Sequence, residues 1–243
     1  MSVKKSGYQL TEAGIQLKQT AITMEREVLN VEANLSGMQD ELTGELKISA
    51  INNMASSILM PIFASFSKKH PKITLHLMVT NKNISLAERE ADVVIRLTNT
   101  PLETLIGKRL ATVSSAPFAS RDYLEQLNQQ TVEETWLGVT CCGFHQSWTK
   151  QAQPQEQHNV YSDDTLLTKS AIINGLGIAY LPCFMGDDEA LLQRFKQPDP
   201  SHDLGLWLLF HPDMKHNAKI LAFRRHFIQQ TQMISHRFEG RSA

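Results

Sequence analysis

Two stretches have the spacing of acyl-transfer chemistry. Ser65-Phe66-Ser67-Lys68 and Ser147-Trp148-Thr149-Lys150 both spell Ser-x-x-Lys, in which a nearby lysine can help activate the serine. The Ser-Asp-Asn and Lys-Thr-Gly motifs that complete such a centre are missing, and the first stretch falls inside an amphipathic helix pattern. Gly-x-Ser-x-Gly does not occur, and Gly175-Leu176-Gly177 precedes a strand pattern rather than a helix, which excludes a dinucleotide loop. The nine histidines include neither His-Glu-x-x-His nor an i, i+4 pair, and no Cys-x-x-Cys occurs. No metal site and no cofactor are therefore expected. Cys141 and Cys142 end a strand pattern; a redox role is one reading, and small apolar side chains in a core is the expected one. Arg96 is the sharpest candidate for chemistry. It lies at the end of the apolar run Asp92-Val93-Val94-Ile95-Arg96-Leu97, where a guanidinium is costly without a partner. An anionic ligand or a neighbouring carboxylate would satisfy it, and a bidentate geometry suits either.

These residues need elements to hold them. The chain has 243 residues, 42% of them apolar and 20% charged, which is enough for a substantial core in one or two domains. Lys plus Arg (24) and Asp plus Glu (25) leave a net charge of -1. That balance excludes a strongly basic nucleic-acid coat protein and an acidic tail protein. Three cysteines form no disulfide framework, so a reducing compartment is expected. Met1-Ser2-Val3-Lys4-Lys5 is not followed by an apolar stretch, so no signal peptide is read. No run of about 18 apolar residues is present, so no membrane span is expected. Together these features point to the cytoplasm.

Leu10, Gly14, Leu17, Ala21, Met24, Val28, Val31, Leu35, Met38 and Leu42 follow one another at alternating spacings of four and three. This is the a/d stripe of a heptad repeat. It predicts one long helix over residues 11–42, about 45 Å long, capped by Thr11. So narrow a stripe needs a partner along its seam. Next come a strand at Glu45–Ser49, a helix capped by Asn52 or Asn53 and ended by His70-Pro71, and a strand at Ile73–Val79. A short helical stretch over 85–90 and the buried strand at 92–97 follow, an alternation that predicts an open α/β layer. Further on, Gly107–Val113 reads as a strand, Pro117 as a turn, Ser120–Leu127 as a helix and Trp136–Thr140 as a strand. Residues 143–157, rich in Gln and Pro, read as loop. A helix capped by Ser162, with Asp163 and Asp164 in its first turn, ends at Asn174-Gly175. Strands at Ile178–Leu181 and Leu204–Phe210 precede a last helix with Ile220, Phe223, Phe227, Ile234 and Phe238 on one face.

Several segments resemble LysR-type transcriptional regulators. Tyr8-Gln9-Leu10-Thr11-Glu12-Ala13-Gly14 is similar to the end of their winged helix-turn-helix and the start of their linker helix. Gly44-Glu45-Leu46-Lys47-Ile48, Leu59-Met60-Pro61-Ile62-Phe63 with Phe66 and His70-Pro71, and Ala91–Arg96 resemble their effector-binding domain. Ala119–Leu124 and Gly175–Pro182 are the most specific pieces, and the order holds from about residue 7 to about residue 230.

The resemblance implies an α/β chain in which a long N-terminal linker helix precedes a two-lobed domain like a type 2 periplasmic binding protein. Its expected boundaries are a wing remnant at 1–10, the linker and dimerisation helix at 11–42, and the effector-binding domain at 43–240. Within that domain lobe I takes about 43–113 and 211–240, and lobe II about 114–210. Crossover strands near 110–115 and 206–210 would hinge the lobes. A small, anionic effector would bind in the cleft and bias lobe closure and assembly. Candidate effector-binding residues are Asn52 and Asn53 (ligand amides or a helix cap), Thr80 and Asn81 (a hydroxyl position in the family, or a plain turn), Arg96, and the helix-capping Ser162. Leu17, Ala21, Met24, Val28, Val31 and Leu35 would carry a homo-oligomer, dimer or tetramer.

About sixty residues that carry the family's recognition helix lie ahead of where this chain begins. DNA is therefore an expected partner only if a helix-turn-helix is supplied. The alternatives are a freestanding binding protein of the periplasmic type and an enzyme on the same scaffold. Neither needs the heptad helix, and the second lacks a nucleophile–base pattern.

Asp at both Val28 and Val31 is expected to shift sedimentation toward smaller species. An unchanged mass would remove the coiled-coil seam.

Overall fold

The computed structural model describes residues 11–18, 20–21, 23–24, 42–79, 91–154, 158–215 and 217–240. It divides into two units, Met1–Leu42 and Thr43–Ala243. In the first unit residues 12–18, 20–21 and 23–24 are helical (α1). The Thr11 hydroxyl accepts from Gly14 N–H at 3.1 Å, which makes Thr11 the expected N-cap. Leu17 and Met24 of the heptad seam are 71% and 65% exposed, and Ala21 is exposed as well. Val28, Val31, Leu35, Thr80, Asn81 and the helical stretch expected over 85–90 lie outside the described residues.

The second unit opens with β1 (Gly44–Ala50), α2 (Asn52–Met54), a π turn (Ala55–Leu59), α3 (Met60–Lys69), β2 (Ile73–Val79), β3 (Val93–Leu97) and β4 (Ile106–Val113). It continues with β5 (Ser115–Ser120), α4 (Arg121–Asn128), β6 (Gly138–Val139), α5 (Gly143–Ala152), β7 (Tyr161–Ser162), α6 (Thr165–Ile173), β8 (Ala179–Pro182), α7 (Cys183–Gly186) and β9 (Leu192–Arg194). It closes with β10 (Leu204–Phe210), α8 (Ala218–Met233) and α9 (Ser235–Phe238).

Two sheets define two lobes. The first has the order β2-β1-β3-β10-β4. β1 runs parallel to β2 and β3, whereas β10 is antiparallel to β3 and β4. The second sheet places β5 between β8 and β9, all antiparallel. A parallel pair, β6 and β7, lies beside it, joined through a bridge between Trp136 and Ile178.

The first lobe packs α3 against α8 through aromatic rings. Phe66 meets Phe223 edge-on at 5.1 Å, and Phe223 lies 5.4 Å from Phe227. Beneath them Leu46 and Ile48 are each 1% exposed. The second lobe buries Phe118, Leu137, Ile172 and Leu181 in one cluster and Trp136, Trp148 and Tyr180 in another, which Leu204 at the start of β10 joins. Among the described residues no helix is long and apolar enough to cross a membrane.

Five expectations are corrected. β10 has the expected bounds but sits inside the first sheet, so lobe II ends before Leu204 rather than at 210. The return crossing is residues 195–203. The outward crossing is Ser114, between β4 and β5. The C-terminal segment also serves both lobes, because Phe238 of α9 meets Phe184 of α7 and Arg194 donates to Gly240 O at 2.6 Å.

Pro117 lies within β5 rather than in a turn. Pairing with β9 begins at Phe118, and the Pro117 carbonyl accepts from Phe195 N–H, so the ring's missing N–H falls at the end of that ladder. Residues 143–152 form α5 rather than loop, with His145, Trp148 and Thr149 as its buried face. That face is aromatic and polar instead of aliphatic, and Trp148 stacks on His202 at 4.8 Å.

The cap of α6 is Asp164, whose carboxylate accepts from Leu166 and Leu167 N–H, rather than Ser162. Gly175 follows that helix at φ +77°, a conformation that costs glycine little. Neither Asn52 nor Asn53 caps α2, since Ile51 occupies the N-cap position and makes no side-chain cap bond. The π turn at Ala55–Leu59 ends two residues before Pro61, whose ring crowds the preceding turn of a regular α-helix.

Phe223→Ala is expected to cost about 3–5 kcal/mol by emptying a fully enclosed ring position. Met233→Ala, on the exposed side of α8, should change stability by less than about 0.5 kcal/mol. Chemical denaturation with a constant m-value checks both.

Candidate functional site

A cavity of about 500 Å³ is lined by residues of both lobes. The first lobe contributes Ile51, Asn53, Val94, Arg96 and Thr98, and the second contributes Ser115, Cys141, Cys142, Phe144, His145 and Thr165. Such a space holds a small organic molecule and is mostly apolar with a few convergent polar groups.

Arg96 is placed by the pleat of β3. Val93, Val94 and Ile95 are buried, while Arg96 is half-buried and turned into the cleft. One terminal nitrogen donates to Ser49 O at 3.3 Å and Ile95 O at 2.9 Å; the other donates to Ser49 Oγ at 2.9 Å. All three acceptors are neutral. Among the described residues no carboxylate pairs with Arg96, so the structural salt bridge weighed from sequence is not formed with them. Burial lowers its pKa to about 10. The group remains cationic at neutral pH, held in position and open to an anion.

Asn53 is 4% exposed and lines the cavity, and its Oδ1 has no hydrogen-bond partner among the described residues. A buried acceptor without a donor costs about 1–3 kcal/mol, which a ligand hydroxyl or amine would recover. Asn52 points elsewhere. Its Nδ2 donates to Asp164 Oδ2 at 3.2 Å, a hydrogen bond between the lobes. Ser162 is buried but is not among the cavity-lining residues; its hydroxyl donates to Asp164 O at 2.9 Å. The structure therefore brings Arg96 and Asn53 together and separates Asn52 and Ser162 from them.

Phe144, His145 and Thr165 line the cavity and carry no expectation from sequence, whereas Cys141 and Cys142 end a strand pattern that could face a cleft. Cys141 and Cys142 are half-buried and line the cleft, and Cys141 also packs against the core of the second lobe. Each Sγ approaches His145 Nδ1, at 3.1 and 3.4 Å, and the sulfurs are 3.9 Å apart. The Cys141 thiol donates to Cys142, which lowers the Cys142 pKa with help from His145, and burial opposes the shift. The same bond and burial raise Cys141. Cys183 is different: it is fully buried in the second lobe, and burial pushes its thiol up to about 12. Reading residues 143–157 as loop hid the turn of helix that brings His145 to the two cysteines.

Residues 39–232 match the LysR substrate binding domain. The chain belongs to this family. Among curated proteins it is similar to the HTH-type transcriptional regulator CrgA of Neisseria meningitidis serogroup C, 26% identical over 156 residues, covering 60% of this chain and 52% of that protein. PgrR of Escherichia coli K12, another HTH-type transcriptional regulator, is 23% identical over 200 residues, 75% of this chain and 66% of PgrR. The chain thus spans about half the length of the first of these relatives.

Among solved structures, CrgA from Neisseria meningitidis superposes with a TM-score of 0.73 at 19% identity, over 94% of this chain and 83% of that one. The effector domain of AmpR from Pseudomonas aeruginosa gives 0.65 at 20% identity, over 80% and 98%. The LysR substrate-binding domain described here thus has the two-lobed, periplasmic-binding-protein-like fold expected from its sequence.

Asp164→Ala is expected to lose about 0.5–2 kcal/mol through the missing cap of α6, and Asn52→Ala distinctly less. Thermal unfolding of both variants checks this; equal losses would place the effect in the interlobe bond instead of the cap.

Proposed function

We propose that this chain is the effector-sensing and oligomerisation part of a LysR-type transcriptional regulator, and that it binds a small anionic molecule between its lobes without transforming it. The observation that carries this reading is the Arg96 guanidinium, fixed at the cleft by three neutral acceptors and facing no carboxylate among the described residues. Asn53 Oδ1 adds a demand for a donor on the same ligand. A carboxylate bearing a hydroxyl or amino group meets both. Family membership supports the regulatory role, and the relatives are named as transcriptional regulators.

Control of transcription then follows from linkage. A ligand that contacts both lobes stabilises one lobe arrangement and shifts the population by its difference in affinity for the two. The exposed Leu17 and Met24 suit a helix that pairs with a second copy of the chain. DNA binding requires a helix-turn-helix joined to this part. The site of action is the cytoplasm.

A thermal-shift panel of hydroxy- and amino-carboxylates, followed by calorimetry on any that stabilise the protein, tests the reading. Arg96→Ala, folded by circular dichroism, should bind such a ligand about ten- to a hundredfold more weakly, the loss of a charge-assisted hydrogen bond. Unchanged affinity overturns the role of Arg96.

A further inference from the structure

The wall of the cleft opposite Arg96 carries a cluster that the binding of an organic anion does not use. Cys141 follows β6 by two residues, Cys142 is the N-cap of α5, and His145 is the third residue of that helix. An N-cap side chain and one three residues later share the first turn, which explains how these two donors meet. The extended backbone at Cys142, φ -162° and ψ 159°, then brings the adjacent Cys141 sulfur to the same point. His145 is 7% exposed, and its Nδ1 is directed at both sulfurs.

The separations match a common metal centre. Tetrahedral zinc with Zn–S of about 2.3 Å and Zn–N of about 2.0–2.1 Å requires S···S near about 3.8 Å and S···N near about 3.5 Å. The observed separations are 3.9 Å between the sulfurs and 3.1 and 3.4 Å from sulfur to nitrogen. All three donor atoms lie within 4.8 Å of one another. Two thiolates and an imidazole suit a thiophilic d10 cation better than magnesium or calcium, which select oxygen.

We propose that Cys141, Cys142 and His145 form a three-donor site for Zn2+ on the second-lobe wall of the cleft, with the fourth coordination position facing the cavity. Three protein ligands and an exchangeable fourth are the arrangement of an open zinc site, in contrast to the closed four-ligand structural kind. The ion would occupy the same cleft as an organic effector, but the proposal rests on this cluster alone and stands whether or not Arg96 binds an anion.

The full chain, reduced and stripped with a chelator, is titrated with Cd2+ as a spectroscopic substitute and with Zn2+ against a chromophoric chelator. One Cd2+ per chain should produce an ultraviolet thiolate-to-cadmium charge-transfer band. Cys141→Ser and Cys142→Ser should each remove about half of the band. His145→Ala should weaken Zn2+ at least about tenfold, the loss that follows even from removing an outer partner of a zinc ligand. Cys183→Ser should leave band and affinity unchanged, and Arg96→Ala should leave the band in place, which separates this site from the buried thiol and from the anion reading. Circular dichroism confirms that each variant is folded. Absence of a band, a band that survives the Cys141→Ser/Cys142→Ser pair, or one that disappears with Cys183 would overturn the proposal.

Discussion

The first sheet is completed by a strand that arrives from the far end of the chain. Leu204–Phe210 pairs with β3 on one side and β4 on the other, and six of its seven residues are buried. An apolar strand of this kind cannot be left out without exposing two unpaired edges. The chain must therefore leave the first lobe after β4, build the second lobe, and return. That pairing makes both crossings obligatory. Two lobes tied by two crossings leave a groove between them, and the side chains discussed above lie on its walls because they occupy strand ends and first helical turns.

The groove is electrostatically divided. On one wall a guanidinium is held by carbonyls and a hydroxyl, all neutral, so its charge is not cancelled by a neighbour within the described chain. On the other wall two sulfurs and an imidazole share hydrogen bonds, with the proton of Cys141 directed to Cys142. Low-dielectric walls strengthen whatever charge interactions a bound molecule would make with either group.

Much of this architecture was legible in the residues, and what was missed has physical reasons. The 3.6-residue period of Ile62, Phe63 and Phe66 and the apolar runs of β3 and β10 mark their elements clearly. A run such as Leu204–Phe210 shows that a strand is buried but not which sheet buries it, so its membership of lobe I was not visible. Pro117 carries a strong local turn signal, which its place at the end of a ladder overrides. α5 was read as loop because its buried face is built from His145, Trp148 and Thr149 rather than aliphatic side chains. Arg96 stood out because a charge at the end of an apolar strand is costly. The Cys141–Cys142–His145 cluster did not, because its spacing spans a strand-to-helix corner that no periodic pattern covers.

Asp164 performs two tasks with one carboxylate. Oδ1 accepts two N–H groups at the start of α6, while Oδ2 accepts the Asn52 amide of the other lobe. Parting the lobes breaks only the second attachment, and water can replace it at a net cost of about 0.5–1.5 kcal/mol. The helix keeps its cap throughout. An opening of the cleft would therefore release this one clasp at a modest cost without fraying the secondary structure that bears it.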